Sequence, residues 1–261
     1  MTETDLFNSL SKSVLVVLGV NILFLISVML LDILIMVNLA FAFILLLIVL
    51  FAKEVKEFTL LPTAILVSTL LNLAVNLCAD RLILTRGFNF DGRLIRLISL
   101  PLLNSGQIGY IIGYAIFILL MLILTLFITK CGTRVSEVAV RFTLDSMQIK
   151  MMAIETEIVS SEISEEEAVL RKQKVQLESD FLCSMDGASK FVSGSVKVVI
   201  FITVVIIIAG ILFENFYRDS SMSDVISFYI GLSAGSGFLF MLPPTILSTA
   251  MGIIATRVAT R

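Results

Sequence analysis

A succession of membrane-length apolar segments, separated by short polar breaks, constrains this chain more than any other feature. Val14 to Leu31 is apolar except for Asn21, and Ile33 to Phe51 is interrupted only by Asn38. About 20 apolar residues suffice to cross a bilayer as a helix. The intervening Asp32 predicts a tight hairpin with the acid at its tip. Leu60 to Leu84 predicts a third span, with Pro62 near its start, where a missing N–H costs least. Its far half carries Asn72, Asn76, Asp80 and Arg81. Thr85 to Gln107 reads as a polar connector, and Ile108 to Ile128 as a fourth span with Gly109 and Gly113 in GxxxG spacing, by itself a weak helix-packing signal. A fifth span is expected from about Gly194 to Phe213, a polar turn from Asn215 to Ser223, and a sixth apolar stretch from Val225 to Ala255. Gly231, Gly235-Ser236-Gly237 and Pro243-Pro244 interrupt that last stretch, which predicts a kinked or broken helix.

The expected fold class is therefore all-α, a polytopic membrane protein with about six spans. Residues 1–129 hold spans one to four, residues 130–193 a polar helical insert, and residues 194–261 spans five and six. Composition agrees: 58% of residues are hydrophobic and 15% charged, against about half and a quarter in soluble domains. The acidic start, Thr2-Glu3-Thr4-Asp5, has no small-residue cleavage site after the apolar run that follows, so that run reads as a retained span rather than a leader. A net charge of -2 gives no general attraction to nucleic acid. Cys78, Cys131 and Cys183 are scattered, without a CxxC pair, and read as small apolar side chains. The chain has no histidine, which removes imidazole catalysis and histidine-ligated metals. With no nucleophile elbow, phosphate-binding glycine loop or metal-ligand cluster either, no enzyme activity, cofactor or metal is expected.

Orientation follows from positive charge. Lys130, Arg134, Arg141, Lys190 and Lys197 crowd the membrane ends of the insert, and Arg257 and Arg261 follow the last span. This places the amino terminus, the 52–58 loop with its Lys53-Glu54-Val55-Lys56-Glu57 run, the insert and the carboxyl end on the cytoplasmic side. Arg86, Arg93 and Arg96 conflict with that rule, since they fall in a loop assigned outside.

The insert has helical logic of its own. Val135, Val138, Phe142 and Ser146 share helical spacing, with Arg134, Glu137, Arg141 and Asp145 around the other faces. Glu137 and Arg141 stand four apart in the favourable acid-first order. Ser164-Glu-Glu-Glu167 predicts a capping box opening a second helix to about Asp180. Asp186-Gly187-Ala188 predicts a turn into the fifth span, with Lys190 four residues after the aspartate. The bland reading of this insert is a solvated helix pair, and the bland reading of Asp186 is a helix N-cap.

Arg134-Val-x-Glu-Val-x-x-Arg-Phe-x-Leu-Asp145, Met152-Ala-Ile, Asp180-Phe and Met185-Asp-Gly-Ala-Ser-Lys-Phe191 together resemble the FHIPEP family, the export-gate proteins of flagellar and injectisome type III secretion. Leu61-Pro-Thr, Leu73-Ala-Val-Asn, Arg81-Leu-Ile-Leu84, Ser248-Thr-Ala-x-Gly and Thr256-Arg-Val258 extend the resemblance over roughly Leu31 to Arg261. There are departures. The family's Pro-Gly-Lys-Gln-Met is Gln148-Ile-Lys-Met-Met152 here. Ser236 stands in place of the acid of Gly-Asp-Gly, Met241 replaces a nearby glutamine, Asn72 replaces an arginine, Ser195 stands where Gly-Asp is usual, and Glu155 and Glu157 replace aspartates.

The resemblance implies a nonameric ring of copies in the bacterial inner membrane, associated with other export-apparatus proteins and with secreted substrates, helping to convert proton-motive force into protein passage. Family members continue past the equivalent of Arg261 into further helices and a large cytoplasmic domain. A carboxylate at a membrane boundary beside a lysine suits proton coupling. Asp186 is the expected proton-binding group, with Lys190 setting how readily it binds. Arg134, Arg141, Glu137 and Asp145 are expected in inter-helix or inter-subunit pairs. The alternatives are a truncated structural paralog without transport activity and an unrelated small-solute channel.

Overall fold

The computed structural model describes residues 27–51, 60–103, 106–160, 163–217 and 222–259, and within them the ordered elements are helices. They are α1 (Val28–Phe51), α2 (Leu61–Arg86), a 3-10 turn (Gly87–Asn89), α3 (Arg93–Leu103), α4 (Gly106–Leu126), a π-helical stretch (Phe127–Gly132), α5 (Thr133–Val159), α6 (Glu165–Tyr217) and α7 (Met222–Ala259). Among the described residues, four helical segments are long and apolar enough to cross a membrane: Val28–Phe51, Leu61–Asn89, Glu165–Glu214 and Asp224–Thr256, with Ala115–Lys130 a shorter apolar helix. The expected first span and the Lys53–Glu57 loop lie outside the described residues, apart from Val28–Leu31, which open α1.

The burial pattern is that of a protein solvated by lipid. Large apolar side chains stand outward on α1 (Met29, Ile33, Met36), on α4 (Ile118, Leu122) and on the distal half of α6 (Phe201, Ile208), while Asn38, Asn72, Asn76 and Asp80 are buried. Hydrocarbon offers no hydrogen bonds, so polar side chains within spans turn toward protein.

The chain forms two compact units. One comprises the chain up to Asn38, Leu70–Ile118 and Val199–Phe240. Ser27 opens α1 here, its hydroxyl accepting the Leu30 N–H. Asp32 is not a hairpin tip. It lies in the second turn of α1, and its two carboxylate oxygens accept the N–H groups of Arg93 and Leu94 at 3.1 and 3.4 Å. A carboxylate on a helix amino terminus satisfies orphan donors and meets the positive end of the helix dipole. What reads in sequence as a polar connector thus contains an amphipathic helix, α3, with Ile95 and Ser99 buried and Leu97 and Leu100 outward. Gly87 enters it with φ 52°, a left-handed setting that costs glycine nothing. Two of the three arginines that conflict with the charge rule are bonded within this segment. Arg86 pairs with Asp91 at 2.9 Å, and Arg96 donates to the Phe88 carbonyl.

In the same unit α7 approaches its neighbours at glycines. A Cβ on Gly235 would stand 2.9 Å from the Ser99 Cβ and 3.0 Å from the Ile95 carbonyl oxygen of α3, and a Cβ on Gly210 of α6 would strike the ring of Tyr229. The sixth apolar stretch is one helix, α7, running through Pro243 and Pro244, rather than a broken one.

The other unit comprises Leu39–Thr69, Leu119–Val198 and Met241–Arg261. Its most regular part is the α5–α6 hairpin. α5 runs unbroken through Gln148–Met152, where the family has Pro-Gly, because nothing in this sequence stops it there. Ser164 caps α6 by accepting the Glu167 N–H at 3.2 Å. Only that half of the capping box forms, since the Glu167 carboxylate accepts from Arg171 instead. The hairpin is zipped by ion pairs of Arg171 with Glu157 (2.7 Å), Lys172 with Glu155 (3.0 Å) and Lys150 with Glu178 (3.7 Å). Glu155 and Glu157, two of the departures, thereby keep a structural role for their charge. Ala139, Ile154, Ala168, Leu182 and Met185 are buried in this unit. Cys183 is exposed.

Candidate functional site

Asp186 sits inside α6. The expected turn at Asp186-Gly187-Ala188, and with it the N-cap reading, is overturned: α6 continues from Glu165 to Tyr217 without a break, since one glycine costs a helix only about 1 kcal/mol. The carboxylate therefore has no helix amino terminus to cap. Its Oδ2 accepts from Lys190 Nζ at 2.8 Å, the i to i+4 geometry of a helix face. Its Oδ1 is buried and has no hydrogen-bond partner among the described residues. The Asp186 side chain is 17% exposed and that of Lys190 58%. Lys190 Nζ also stands 3.9 Å from Glu137 Oε1 of α5. One ammonium thus bridges two carboxylates on two helices just before the apolar half of α6 begins.

Its hydrogen bond to Asp186, then the charge of the same carboxylate, raise the Lys190 pKa above the ordinary lysine value. The cation is therefore held at neutral pH. Chemically, Oδ1 of Asp186 offers a shielded acceptor for a proton or a donor.

The other expected site residues are placed differently. Arg134, Arg141 and Asp145 are exposed on α5, and no hydrogen bond or ion pair joins them to another described residue. The expected Glu137–Arg141 pair is not formed; Glu137 turns to Lys190 instead.

A second polar constellation lies in the first unit. Asn38 Nδ2 donates to Asn72 Oδ1 at 2.8 Å, and Asn72 Nδ2 donates to the Phe240 carbonyl at 3.0 Å. That carbonyl is free because Pro244, four residues on, has no N–H to give it. Asn76 and Asp80 continue the face of α2 at four-residue intervals, both 2% exposed. Asn76 Nδ2 and Asp80 Oδ2 have no hydrogen-bond partner among the described residues. Ser236, in place of the family's acid, is buried and donates to the Ser233 carbonyl of its own helix. Glu214 is buried as well and accepts from the Tyr229 hydroxyl at 3.2 Å. The 72/76/80 spacing was visible in the sequence as one helix face. The Glu214–Tyr229 pair had no local signal, since 15 residues and a chain reversal separate its members.

Long apolar helices with outward aliphatic faces and inward polar groups define a polytopic helical membrane protein. The FHIPEP family matches residues 18–261, and the chain belongs to that family. It is 43% identical over 255 residues to the flagellar biosynthesis protein FlhA of Treponema pallidum, an alignment covering 97% of this chain and 36% of that protein. Against FlhA of Borreliella burgdorferi it is 42% identical over 228 residues, 87% of this chain and 33% of that protein. Against FlhA of Escherichia coli it is 37% identical over 233 residues, 88% and 33%. The chain thus spans about a third of the length of these relatives. No solved structure matches it. Family membership and the long apolar helices make it a multi-pass protein of the bacterial inner membrane.

Proposed function

We propose that this chain is the membrane portion of a flagellar-type export gate that couples proton-motive force to protein export, with Asp186 as the proton-binding group. The small-solute channel is set aside by the family. The observation that carries the coupling role is the half-satisfied carboxylate of Asp186, one oxygen held by Lys190 and the other shielded and unpartnered, at the membrane end of the hairpin. Protonation would remove the charge that Lys190 bridges to Glu137 and loosen α5 from α6 at that level. Arg134, Arg141 and Asp145 serve contacts between copies in this reading. We further propose six spans with residues 130–193 in the cytoplasm, and a homo-oligomeric, nonameric ring alongside other export-apparatus proteins and the exported substrates. The flagellar assignment rests on the relatives, each of which is a flagellar biosynthesis protein.

The test is Asp186→Asn in the full-length protein. Export of secreted subunits is expected to fall to background while the oligomer still assembles, and Asp186→Glu should retain part of it. Normal secretion by Asp186→Asn would overturn the coupling role. A purely structural paralog is the second reading, favoured by Ser236, which leaves no ionisable group at its position in α7. Under that reading, Asp186→Asn would be silent.

A further inference from the structure

α5 carries an apolar stripe that no described residue of its own chain covers. Val138, Phe142, Ile149, Met152 and Val159 are 52%, 68%, 71%, 68% and 86% exposed. Asp145 and Thr156 complete the series, and the spacing alternates four and three residues from Val138 to Val159. That is three heptads, the period of helices that pack along a seam. The stripe does not face lipid, because α5 is too charged to be a membrane span and is absent from the helices apolar enough to cross one. Nor does it face α6. The α5 side chains turned to α6 are buried Ala139 and Ile154 and ion-paired Lys150 and Glu157, which lie on another side of the helix.

The ion pairs of the hairpin define which residues of α6 lie level with which of α5. At the levels of the stripe, α6 presents an exposed face of its own with the same alternation. Leu170 lies level with Val159, Leu177 with Met152 and Phe191 with Val138, all three exposed. Exposed Gln173 lies level with Thr156, and exposed Ser184 with Asp145. Bulky Phe142 lies level with Gly187, around whose missing Cβ there is nothing within 4 Å. Apolar matches apolar, polar matches polar and large matches small; only Ile149 with Asp180 is mixed. The two faces belong to one chain but point away from each other, so they cannot meet within it. Two copies anchored in one membrane are held at equal depth, which brings these same levels together.

We propose that the stripe of α5 is the docking surface for the outward face of α6 in a second copy of this chain, in the register given above. The contact is heterologous: each copy offers one face and receives on the other, so the contacts close into a ring or extend as a chain. It rests on the homo-oligomeric part of the proposed function and not on proton coupling.

The experiment is disulfide trapping in the full-length protein in native membranes, with Cys78, Cys131 and Cys183 replaced by serine. M152C combined with L177C is expected to give, on mild oxidation, a ladder of dimers and higher multiples that reductant dissolves. M152C alone and L177C alone should give none above the cysteine-free background. Dimers from M152C alone would overturn the proposal in favour of a stripe-to-stripe contact. No ladder from the double variant, with an oligomer still present on native gels, would overturn the surface while leaving the ring standing. No ladder and no oligomer would remove both. Asp186→Asn should leave the ladder unchanged, which keeps this outcome separate from the coupling role.

Discussion

Asn72 does the work of two residues. It accepts from Asn38 and donates to the Phe240 carbonyl, so its removal strands a donor and an acceptor, whereas Asn38 already has an unpartnered oxygen. Leaving a buried polar group unmade costs about 1–3 kcal/mol, and side-chain hydrogen bonds between membrane helices average nearer ~0.6 kcal/mol. Asn72→Leu is therefore expected to destabilise the folded protein by about 1–3 kcal/mol, and Asn38→Leu by less, as read by thermal unfolding in detergent; equal effects would contradict the bridging role. Lys190 gives a prediction in pH. Its pKa is raised on folding, so its contribution is complete below the ordinary lysine value and is lost only as pH rises through the raised one. On the alkaline side, the difference in melting temperature between the parent and Lys190→Met should thus persist past neutral pH and shrink only above about pH 10. A difference that vanished on approaching pH 8 would show that the ammonium is not held by Asp186.

Among the elements, the glycines of α7 separate close approach from open space. Gly235→Ala drives a Cβ into the backbone of α3, an overpacking expected to cost about 1–3 kcal/mol. Gly252→Ala meets nothing within 4 Å and should be neutral or stabilise by up to ~1 kcal/mol; the two melting temperatures measure the contrast. The long apolar runs were legible in the sequence because α1, α2 and α7 need only length and hydropathy, and the Ser164 cap was legible because its signal is local. Three features were not. α3 was hidden because its amino terminus is capped by Asp32, some sixty residues upstream. The continuity of α6 was hidden because Asp-Gly-Ala reads as a turn when nothing shows the packing on either side. The wholeness of α7 was hidden because the carbonyl that Pro244 leaves free is met by Asn72, far away in the chain. Of the site, the Asp186–Lys190 pairing was readable from four-residue spacing. The turn of Glu137 away from Arg141 was not, since the choice depends on which helix lies opposite.

For the molecule as a whole, the proposed contact between copies makes its own demand on glycine. Gly187 and Gly194 both stand in α6 with open space around them, so alanine at either should leave the single chain as stable or more stable, by up to ~1 kcal/mol. Only Gly187 lies opposite Phe142 in the proposed register. Gly187→Ala is therefore expected to weaken the oligomer on native gels, and Gly194→Ala to leave it intact; the same behaviour from both would count against that register. The Phe240 carbonyl has a last consequence, for movement. Pro244 can never supply the missing donor, and the bond from Asn72 takes its place. Sliding α7 along α2 by one turn, about 5.4 Å, would break this bond and, in one direction, bring the carbonyl level with Asn76, whose Nδ2 has no partner among the described residues. The two asparagines are thus donors one turn apart: a tilt of α2 and α7 together keeps the Asn72 bond, and a one-turn slide trades it for Asn76.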